Sequence, residues 1–220
     1  MKVSTFLEYL LSTPKSFYVS ANLLGFKRAL RLPIVVRYNT KVLSLKGSVT
    51  ILGGGRIWIG FGQGSEFNKK HNPSIIKLDG TIVFESSCWF GLGSKIISEP
   101  NSRLEVGKNF INTAKLTISN RGTIKIARDC LVSWNTWICD TDFHQITNME
   151  TGGKSNPNGQ VKVGNHVWIA SGSTLLKGTI IPDGCVVGYG SIINKEFSEY
   201  NCLLAGSPAQ IKKKKVSWSR

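Results

Sequence analysis

The chain has 220 residues, enough for one domain with a sizeable core, alone or with an appendage, and its composition excludes a disordered protein. Its formal net charge of +15 favours anionic partners: coenzyme phosphates, nucleic acid, acidic polysaccharide or a negatively charged membrane surface. Five cysteines without a Cys-x-x-Cys pair argue against a disulfide framework and a zinc site, so a reducing cytoplasm is the default location and no metal is expected.

Residues 1–45 are predicted to form an N-terminal cap that begins with a helix. The apolar residues at helical spacing are Phe6, Leu7, Leu10 and Leu11, and Pro14 is predicted to stop the helix. The apolar run is too short for a transmembrane helix, and it lacks the cleavage site of a signal peptide. The segment either covers an open end of the fold or lies on a membrane surface. The side chains that would touch the membrane are Phe17, Tyr18, Phe26, Lys27, Arg28 and Arg31.

Residues 46–211 carry apolar residues at intervals of six. The early members are Val49, Ile51, Ile57, Ile59, Leu78, Phe84, Phe90 and Ile96, with Ile82, Cys88 and Ser94 in a second row. A later series slips phase near Gly122 and consists of Val106, Asn112, Ile118, Ile126, Val132 and Ile138. Asn112 stands in an aliphatic slot, where its buried amide would need partners. It is either one step of an internal asparagine ladder or a sign that the chain opens there.

The phase of this series breaks after Ile138. Continued by sixes, the series would place Asp142 and His144 in inward slots, where both are costly to bury without partners, so we expect the chain to leave the regular structure here. Residues 145–160 are polar and rich in Gly and Asn, as in long ordered loops that carry function. Asp142 and His144 would share one side of an extended segment, with Asp140 two residues earlier.

His144 is the candidate general base, because a neighbouring carboxylate can fix the tautomer of an imidazole and raise its basicity. Alternatively, the ring nitrogens of His144 only cap the loop. Asp142 would orient either His144 or a substrate. Cys139 is a competing nucleophile, although no base is paired with it by spacing.

Residues 161–195 contain the clearest repeat. An aliphatic row with a period of six consists of Val163, Ile169, Leu175, Ile181, Val187 and Ile193, and a row of small or modest side chains consists of Val167, Ser173, Thr179, Cys185 and Ser191. A helix would need apolar residues every three or four positions, and a flat strand would alternate. The repeat predicts an all-β parallel β-helix with glycines of positive φ at its corners, and an αβ domain with glycine-rich loops is the alternative. Cys88 and Cys185 fall in the small row and are predicted to pack rather than react.

Two features follow the loop. Trp168 occupies an outward position that suits a subunit contact or a pantetheine arm. Residues 212–220 form a basic tail whose lysines, Lys212 to Lys215, are either solvated or in contact with phosphate.

Three motifs resemble those of the hexapeptide-repeat acyltransferases of the left-handed β-helix class, in particular the maltose and galactoside O-acetyltransferases and their capsular and O-antigen polysaccharide relatives. The segment Asp140-Thr141-Asp142-Phe143-His144 resembles the Asp-x-Asp-x-His segment with the family's catalytic histidine. Residues 165–170 resemble the signature Asn-x-Val-Trp-Ile-Gly, and residues 205–209 resemble the closing Ala-Gly-x-Pro-Ala. The resemblance covers about residues 46–213, and it alone implies the left hand of the coil.

The resemblance implies a homotrimer with acetyl-CoA bound between neighbouring β-helices and active sites between subunits, and exposed Trp134, Trp137 and Trp168 around the site favour the same trimer. The positions that match coenzyme-binding residues are Trp168, Ala170, Ser171, Tyr189, Asn194, Lys195 and Lys213. Candidate acceptor-binding residues are Asn112, Trp134 and Asp140. Two departures from the family pattern are Ala170 in place of Gly and Gln210 where some members have Arg, so phosphate affinity would fall unless the lysine run compensates.

The resulting hypothesis is an O-acetyltransferase that moves acetyl from acetyl-CoA to a sugar hydroxyl of a surface polysaccharide, capsule or O-antigen, or of its precursor. His144 would remove the hydroxyl proton, and a backbone N–H near Ala170 or Ser171 would stabilise the oxyanion. The location would be cytoplasmic, with peripheral association on the inner face of the membrane as a further option. An N-acyltransferase of nucleotide sugars and a structural or nucleic-acid-binding solenoid are the alternatives. Because no nucleic-acid motif is present, no nucleic-acid partner is expected.

Overall fold

The protein is a parallel β-helix with an α-helical cap, in a computed structural model that describes residues 3–62, 72–154 and 156–220. The helices of the described part are α1 (Val3–Leu24) and α2 (Phe26–Ala29). Its strands are β1 (Ile34–Val36), β2 (Lys41–Ser44), β3 (Ser48–Ile51), β4 (Ile57–Ile59), β5 (Ile75–Leu78), β6 (Thr81–Phe84), β7 (Cys88–Leu92), β8 (Lys95–Ser98), β9 (Arg103–Val106), β10 (Phe110–Ala114), β11 (Thr117–Asn120), β12 (Thr123–Ile126), β13 (Leu131–Val132), β14 (Trp137–Cys139), β15 (Gln160–Val163), β16 (Trp168–Ile169), β17 (Thr174–Leu175), β18 (Ile180–Ile181), β19 (Val186–Val187), β20 (Ile192–Ile193), β21 (Leu203–Gly206) and β22 (Ala209–Lys213).

These strands form the three faces of the β-helix. Sheet A has the order β1-β4-β7-β10-β13-β16-β19-β21-β22, sheet B the order β2-β5-β8-β11-β14-β17-β20, and sheet C the order β3-β6-β9-β12-β15-β18. Each coil contributes successive strands to A, B and C, so neighbours within a sheet are parallel, while β21 and β22 close the fold as an antiparallel pair. The predicted β-helix is confirmed. We name the corners AB, BC and CA by the sheets that they join.

The predicted inward rows are buried and stack in register. In sheet A, Val132 pairs with Ile169 and Ile169 pairs with Val187, and all three side chains are inaccessible to solvent. The remaining aliphatic members of the strong repeat, which are also buried, are Val163, Leu175, Ile181 and Ile193. Removal of this continuous apolar column from water is the main favourable term in folding.

The glycines at the corners serve two purposes. Gly172 and Gly190 occupy the same place on the AB corner with φ of 69° and 65°, a left-handed conformation that glycine adopts at little cost. Gly164 and Gly188 are also corner glycines of the repeat, but they do not have the positive φ predicted for such glycines. They are small for another reason, because a Cβ on Gly164 would lie 2.3 Å from Asp183 Oδ1 and one on Gly188 would lie 2.9 Å from Ala205 Cβ.

Helix α1 covers the open edge of β1. Ser16 Oγ donates to the carbonyl of Val36 (3.2 Å) and accepts its N–H (3.0 Å), and Ser20 Oγ does the same at Ile34 (3.1 and 3.3 Å). Both serines are buried. A row of hydroxyls therefore replaces the hydrogen bonds that a further strand would have made at this edge.

Two predictions about the N-terminus were wrong. Pro14 does not stop α1, which continues to Leu24 because the tertiary contacts of Val19 and of the buried serines outweigh the missing N–H. The first coil begins at Ile34, before the predicted start at residue 46, because β1 pairs with β4 on one edge and with serines of α1 on the other. Within the described residues, no helix is long and apolar enough to cross a membrane.

Candidate active site

A long excursion leaves the coil at the BC corner, between Cys139 at the end of β14 and Gln160 at the start of β15. Asp140 and Thr141 are still buried, whereas Asp142 and most of the residues that follow are exposed. An antiparallel bridge between Thr147 and Lys154 holds the two arms of the excursion together. The predicted departure from the regular coil is confirmed.

Asp140 anchors the base of this excursion from inside the coil. Its Oδ1 accepts the N–H of Arg121 (2.7 Å), and its Oδ2 accepts the N–H of Gly122 (2.9 Å) and the amide of Asn120 (2.7 Å). The Asp140 side chain is fully buried, so it does not reach a surface where an acceptor sugar could bind. Its role in this chain is to satisfy the backbone N–H groups at the phase slip near Gly122.

Asp142, Phe143 and His144 form a tight turn instead of the predicted extended segment. The His144 N–H donates to the Asp142 carbonyl at 2.6 Å, and Phe143 has a φ of 62°, uncommon for a residue with a side chain. Thr141 Oγ1 accepts the Phe143 N–H (3.1 Å) and supports this conformation. The alternation of an extended strand therefore does not apply to Asp142 and His144.

The carboxylate of Asp142 binds Lys177 and Asn156. Lys177 Nζ lies 2.5 Å from Asp142 Oδ2, and Asn156 Nδ2 donates to the same oxygen (3.0 Å) and to the His144 carbonyl (2.8 Å). The hydrogen bond from Lys177 and then that from Asn156 lower the pKa of Asp142. Asp142 thus fixes the backbone of His144 through Asn156, rather than its ring.

The imidazole of His144 is exposed and lines a cleft of about 320 Å³. Among the residues that the structure describes, none makes a hydrogen bond to this ring, so the ring does not act as a cap for the loop. The other walls of the cleft are formed by Thr141, Asp142, Phe143, Gln145, Lys154, Asn156, Pro157 and Asn158. An imidazole in this position can accept a proton from a ligand in the cleft.

Sequence reasoning missed the groups that hold the turn. Lys177 lies two residues after Leu175, the register partner of Ile138, and Asp140 lies two residues after Ile138. Extending the register by two residues would therefore have placed Lys177 beneath the loop. The sequence contains no comparable signal that would place Asn156 next to Asp142, because the position of Asn156 depends on the path of an irregular loop.

An exposed aromatic stack beside His144 joins Trp137, which was predicted to lie near the site, to Phe143, which was not. The rings of Trp137 and Phe143 lie 6.4 Å apart with planes 17° from parallel, and the Arg121 guanidinium lies over Phe143 at 5.3 Å. Ser119 Oγ accepts the indole N–H of Trp137 (3.1 Å) and fixes its orientation. These groups form an apolar and cationic wall next to the candidate base.

The predicted coenzyme residues lie on different corners of one chain. Ala170, Ser171 and Tyr189 are on the AB corner together with Trp134, whose carbonyl accepts the Gly172 N–H (3.0 Å). Tyr189 is 82% exposed, and Ser171 is buried.

Asn194 and Lys195 are exposed on the BC corner, which also carries His144. Lys195 Nζ donates to Gln210 Oε1 (3.2 Å) and lies over the ring of Phe197 at 5.3 Å. The two corners are separated by sheet B.

The C-terminal tail packs against the coil. Lys213 is exposed at the end of β22, and the chain then turns along the CA corner. Trp218 stacks on His166 with ring centroids 4.3 Å apart and planes 8° from parallel, and its ring lies 6.1 Å from that of Trp168. The Trp168 indole N–H donates to Ser133 Oγ (3.2 Å), so Trp168 is half-buried against the chain's own residues.

Asn112 is buried in a closed coil, so neither interpretation of it was correct. Its Oδ1 accepts hydrogen bonds from Ser94 Oγ (2.8 Å) and from the Gly91 N–H (3.2 Å). Its Nδ2 donates to the carbonyls of Val132 (3.1 Å) and Ala114 (3.3 Å). The amide is satisfied by backbone and a serine rather than by an asparagine ladder, and it is not accessible to an acceptor.

The cysteine side chains are buried and unpaired. Burial raises the pKa of Cys88 to about 12, and burial also raises the pKa of Cys185 and Cys139. Cys139 Sγ donates to the Thr141 carbonyl (3.0 Å). A buried thiol that is protonated at neutral pH is a poor nucleophile. Within the described residues, no group of three or more His, Cys, Asp and Glu side chains could hold a metal ion.

Comparisons with known proteins agree with this geometry, although no family model matches the chain. A polysialic acid O-acetyltransferase from Neisseria meningitidis is 40% identical over 113 residues, which cover 51% of this chain and only 53% of that protein. A galactoside O-acetyltransferase from Escherichia coli K12 is 29% identical over 154 residues, covering 66% of this chain and 72% of that protein.

Solved structures are also similar. The polysialic acid O-acetyltransferase OatWY aligns with a TM-score of 0.50 and 25% identity over 82% of this chain and 91% of that one. The polysialic-acid-specific acetyltransferase NeuO shares the fold, with a TM-score of 0.50 and 20% identity over 86% of this chain and 79% of that one. With its three motifs and its coils, the chain is similar to the hexapeptide-repeat acyltransferases of the left-handed β-helix class.

Proposed function

We propose that the protein is an O-acetyltransferase that transfers acetyl from acetyl-CoA to a sugar hydroxyl of a surface polysaccharide, capsule or O-antigen, or of its precursor. The observation that carries the proposal is the exposed imidazole of His144, held by the turn at the break of the coil. The relatives whose names state polysialic acid and galactoside O-acetylation support the same chemistry.

In this mechanism His144 takes the proton of the attacking hydroxyl while that oxygen forms a bond to the thioester carbonyl carbon. The tetrahedral intermediate then collapses, the C–S bond breaks, and the thiolate of coenzyme A leaves with a proton from the His144 imidazolium. The Ala170 N–H already donates to the Val187 carbonyl (2.9 Å), so of the two predicted oxyanion donors we favour Ser171. Among the described residues, the Ser171 N–H has no such partner.

The active site is proposed to form between subunits of a homotrimer. His144 and Ser171 lie on different corners of one chain, and the half-exposed rings of Trp134 and Trp137 provide apolar surface at the AB corner and on the adjacent face of sheet B. Sedimentation analysis should give three subunits. A fully active monomer would contradict an intersubunit site.

The coenzyme is proposed to contact Trp168, Ala170, Ser171, Tyr189, Asn194, Lys195 and Lys213 from two adjoining subunits. Because Lys195 already binds Gln210, it is positioned rather than free in solution. Replacing Lys212, Lys213 and Lys215 by Gln preserves the packing of Trp218 and tests the phosphate role of the lysines. Acetyl-CoA affinity should fall and its salt dependence should weaken, whereas unchanged affinity would remove these lysines from the coenzyme site.

The test of the activity is a thiol-release assay with acetyl-CoA against sugars, nucleotide sugars and polysaccharides. The proposal expects a product that mild alkali hydrolyses, because esters are labile and amides are not. An alkali-stable product on an amino sugar nucleotide would favour the N-acyltransferase alternative, and failure with all acceptors would favour a structural solenoid. The buried free thiols fit a cytoplasmic location, which is part of this proposal.

A further inference from the structure

A large cleft lies at the N-terminal end of the β-helix, away from His144. Its volume is about 920 Å³, and it lies between α2 and the CA corner that joins β3 to β4. We call it the N-terminal cleft. Its basic lining residues are Lys27, Arg28, Arg31 and Arg56, and no acidic residue contributes to its described walls.

The four cations of the N-terminal cleft have no carboxylate partner among the described residues. Some cations elsewhere in the protein are paired, as Lys177 is with Asp142 and Lys214 is with Glu199. Four like charges around one concavity repel each other and concentrate anions from solution. The cleft is therefore suited to an anionic ligand rather than to a neutral one.

The remaining walls of the cleft favour a carbohydrate. Trp58 is half-buried in the wall and stacks on Trp89, with centroids 5.5 Å apart and planes 28° from parallel. A rigid aromatic ring provides a flat apolar surface beside charged groups. At the rim, residues 53–55 are glycines, and Gly54 has open space where a Cβ would be, so a ligand can approach the backbone closely.

We propose that the N-terminal cleft binds an acidic stretch of the acceptor polysaccharide, through carboxylates or phosphates of the chain, while another part of the same chain reaches His144. This inference rests on the proposed acetyltransferase function. In sheet A, β4 beside the cleft and β13 in the coil of the His144 loop are three strand spacings apart, about 14 Å along the axis. Because the cleft is on the CA corner and His144 is on the BC corner, the width of sheet C adds to this distance, so a long acceptor chain can reach both places and a monosaccharide cannot. Binding in the cleft would raise the effective concentration of the polymer at the active site.

The first test is binding without acetyl-CoA, so that it does not depend on catalysis. A fluorescent sialic acid polymer is the probe, and a neutral dextran of similar length is the control ligand. R28Q/R31Q/R56Q should weaken polymer binding about tenfold or more at low salt, because each arginine can form charge-assisted hydrogen bonds to carboxylates. The matched variant K41Q/K108Q/K162Q removes the same charge from exposed lysines outside the cleft and should change binding less than twofold.

Equal weakening in both triple variants, or no weakening in either, would overturn the proposal, because binding would then follow net charge or another surface. A second outcome would overturn the proposal in favour of a membrane-binding surface. In that outcome the wild-type protein does not bind the polymer but binds anionic phospholipid vesicles, and the cleft variant loses affinity for the vesicles. If the cleft variant loses polymer binding but no acetyl transfer is found, the cleft assignment stands and the proposed function fails. With active enzyme, the KM for the polymer should rise in the cleft variant while that for a monosaccharide acceptor stays unchanged.

Discussion

Consecutive coils of this protein turn the BC corner in two different ways. After β17, residues 176–179 form a short turn in which the Leu176 N–H donates to the Ile193 carbonyl (2.8 Å) and Thr179 Oγ1 donates to the same carbonyl (2.9 Å). After β14, the same corner takes residues 140–159 and places Asp142 and His144 at the surface. The short turn satisfies these groups within the stack, and its Lys177 is paired with Asp142 of the long corner, so it has little left to offer a ligand.

In the long corner, different residues satisfy the backbone, form the ion pair and present a reactive group. Asp140 remains in the stack and satisfies the backbone, Asp142 pairs with a lysine of the next coil, and the His144 ring is free for chemistry. The comparison indicates that the repeat provides a rigid frame and that its interruption provides reactive groups.

The largest effect is expected from His144→Ala. Loss of a general base should lower kcat by about 100- to 10,000-fold, equivalent to about 3 to 5 kcal/mol in the barrier. Circular dichroism and sedimentation should not change, because the ring is exposed and makes no contact within the stack. The control is His166→Ala on the CA corner. Near-normal turnover of His144→Ala with the true acceptor would refute the assignment.

A substitution in the core should lower the stability of the protein rather than remove a reactive group. Ile181→Ala removes a side chain that is 1% exposed and stacked below Val163, and should lower the free energy of unfolding by about 2 to 5 kcal/mol. Met149→Ala in the long corner removes a side chain that is 99% exposed and should leave stability unchanged. Denaturant titration of both variants measures the difference. A large loss of stability in Met149→Ala would show that the loop is part of the folding core.

A smaller effect is expected from Lys177→Met. The ion pair with Asp142 is partly exposed, so its loss should lower kcat only about two- to fivefold, in keeping with the modest energies of exposed pairs. Lys177→Arg should restore most of the rate because it retains the charge. If Lys177→Met lowered kcat as much as His144→Ala, Lys177 would have a direct role in the reaction.

The smallest expected effect is a change in the pH at which Asp142 titrates. The pKa of Asp142 is lowered, so its ion pair with Lys177 is present at neutral pH and persists below the usual pKa range of an aspartate. The ion pair is lost as pH falls through the lowered pKa. In Lys177→Met the pKa of Asp142 should rise towards its ordinary value, and the loss should occur at higher pH. Carboxyl NMR titration of Asp142 in both proteins measures this shift. An identical titration would show that Asn156 alone sets the pKa.

Sequence by itself determined the β-helix and the place where it breaks. Six aliphatic residues in phase from Val163 to Ile193 have few alternatives to stacked coils, because only such a fold points every sixth residue, on successive faces, into one interior. The phase break after Ile138 likewise identified the loop with Asp142 and His144, since neither charge could be buried without partners.

Only the tertiary structure decided how the polar groups of this chain are used. Asp140 and Asn112 look like ligand-binding residues in the sequence, but partners from neighbouring coils satisfy them inside the core. Pro14 looks like a helix stop, but contacts of α1 with β1 carry the helix past it. Lys177 reaches Asp142 from the next coil. In each case the deciding partner is distant in sequence, so its contribution does not appear in local composition or spacing.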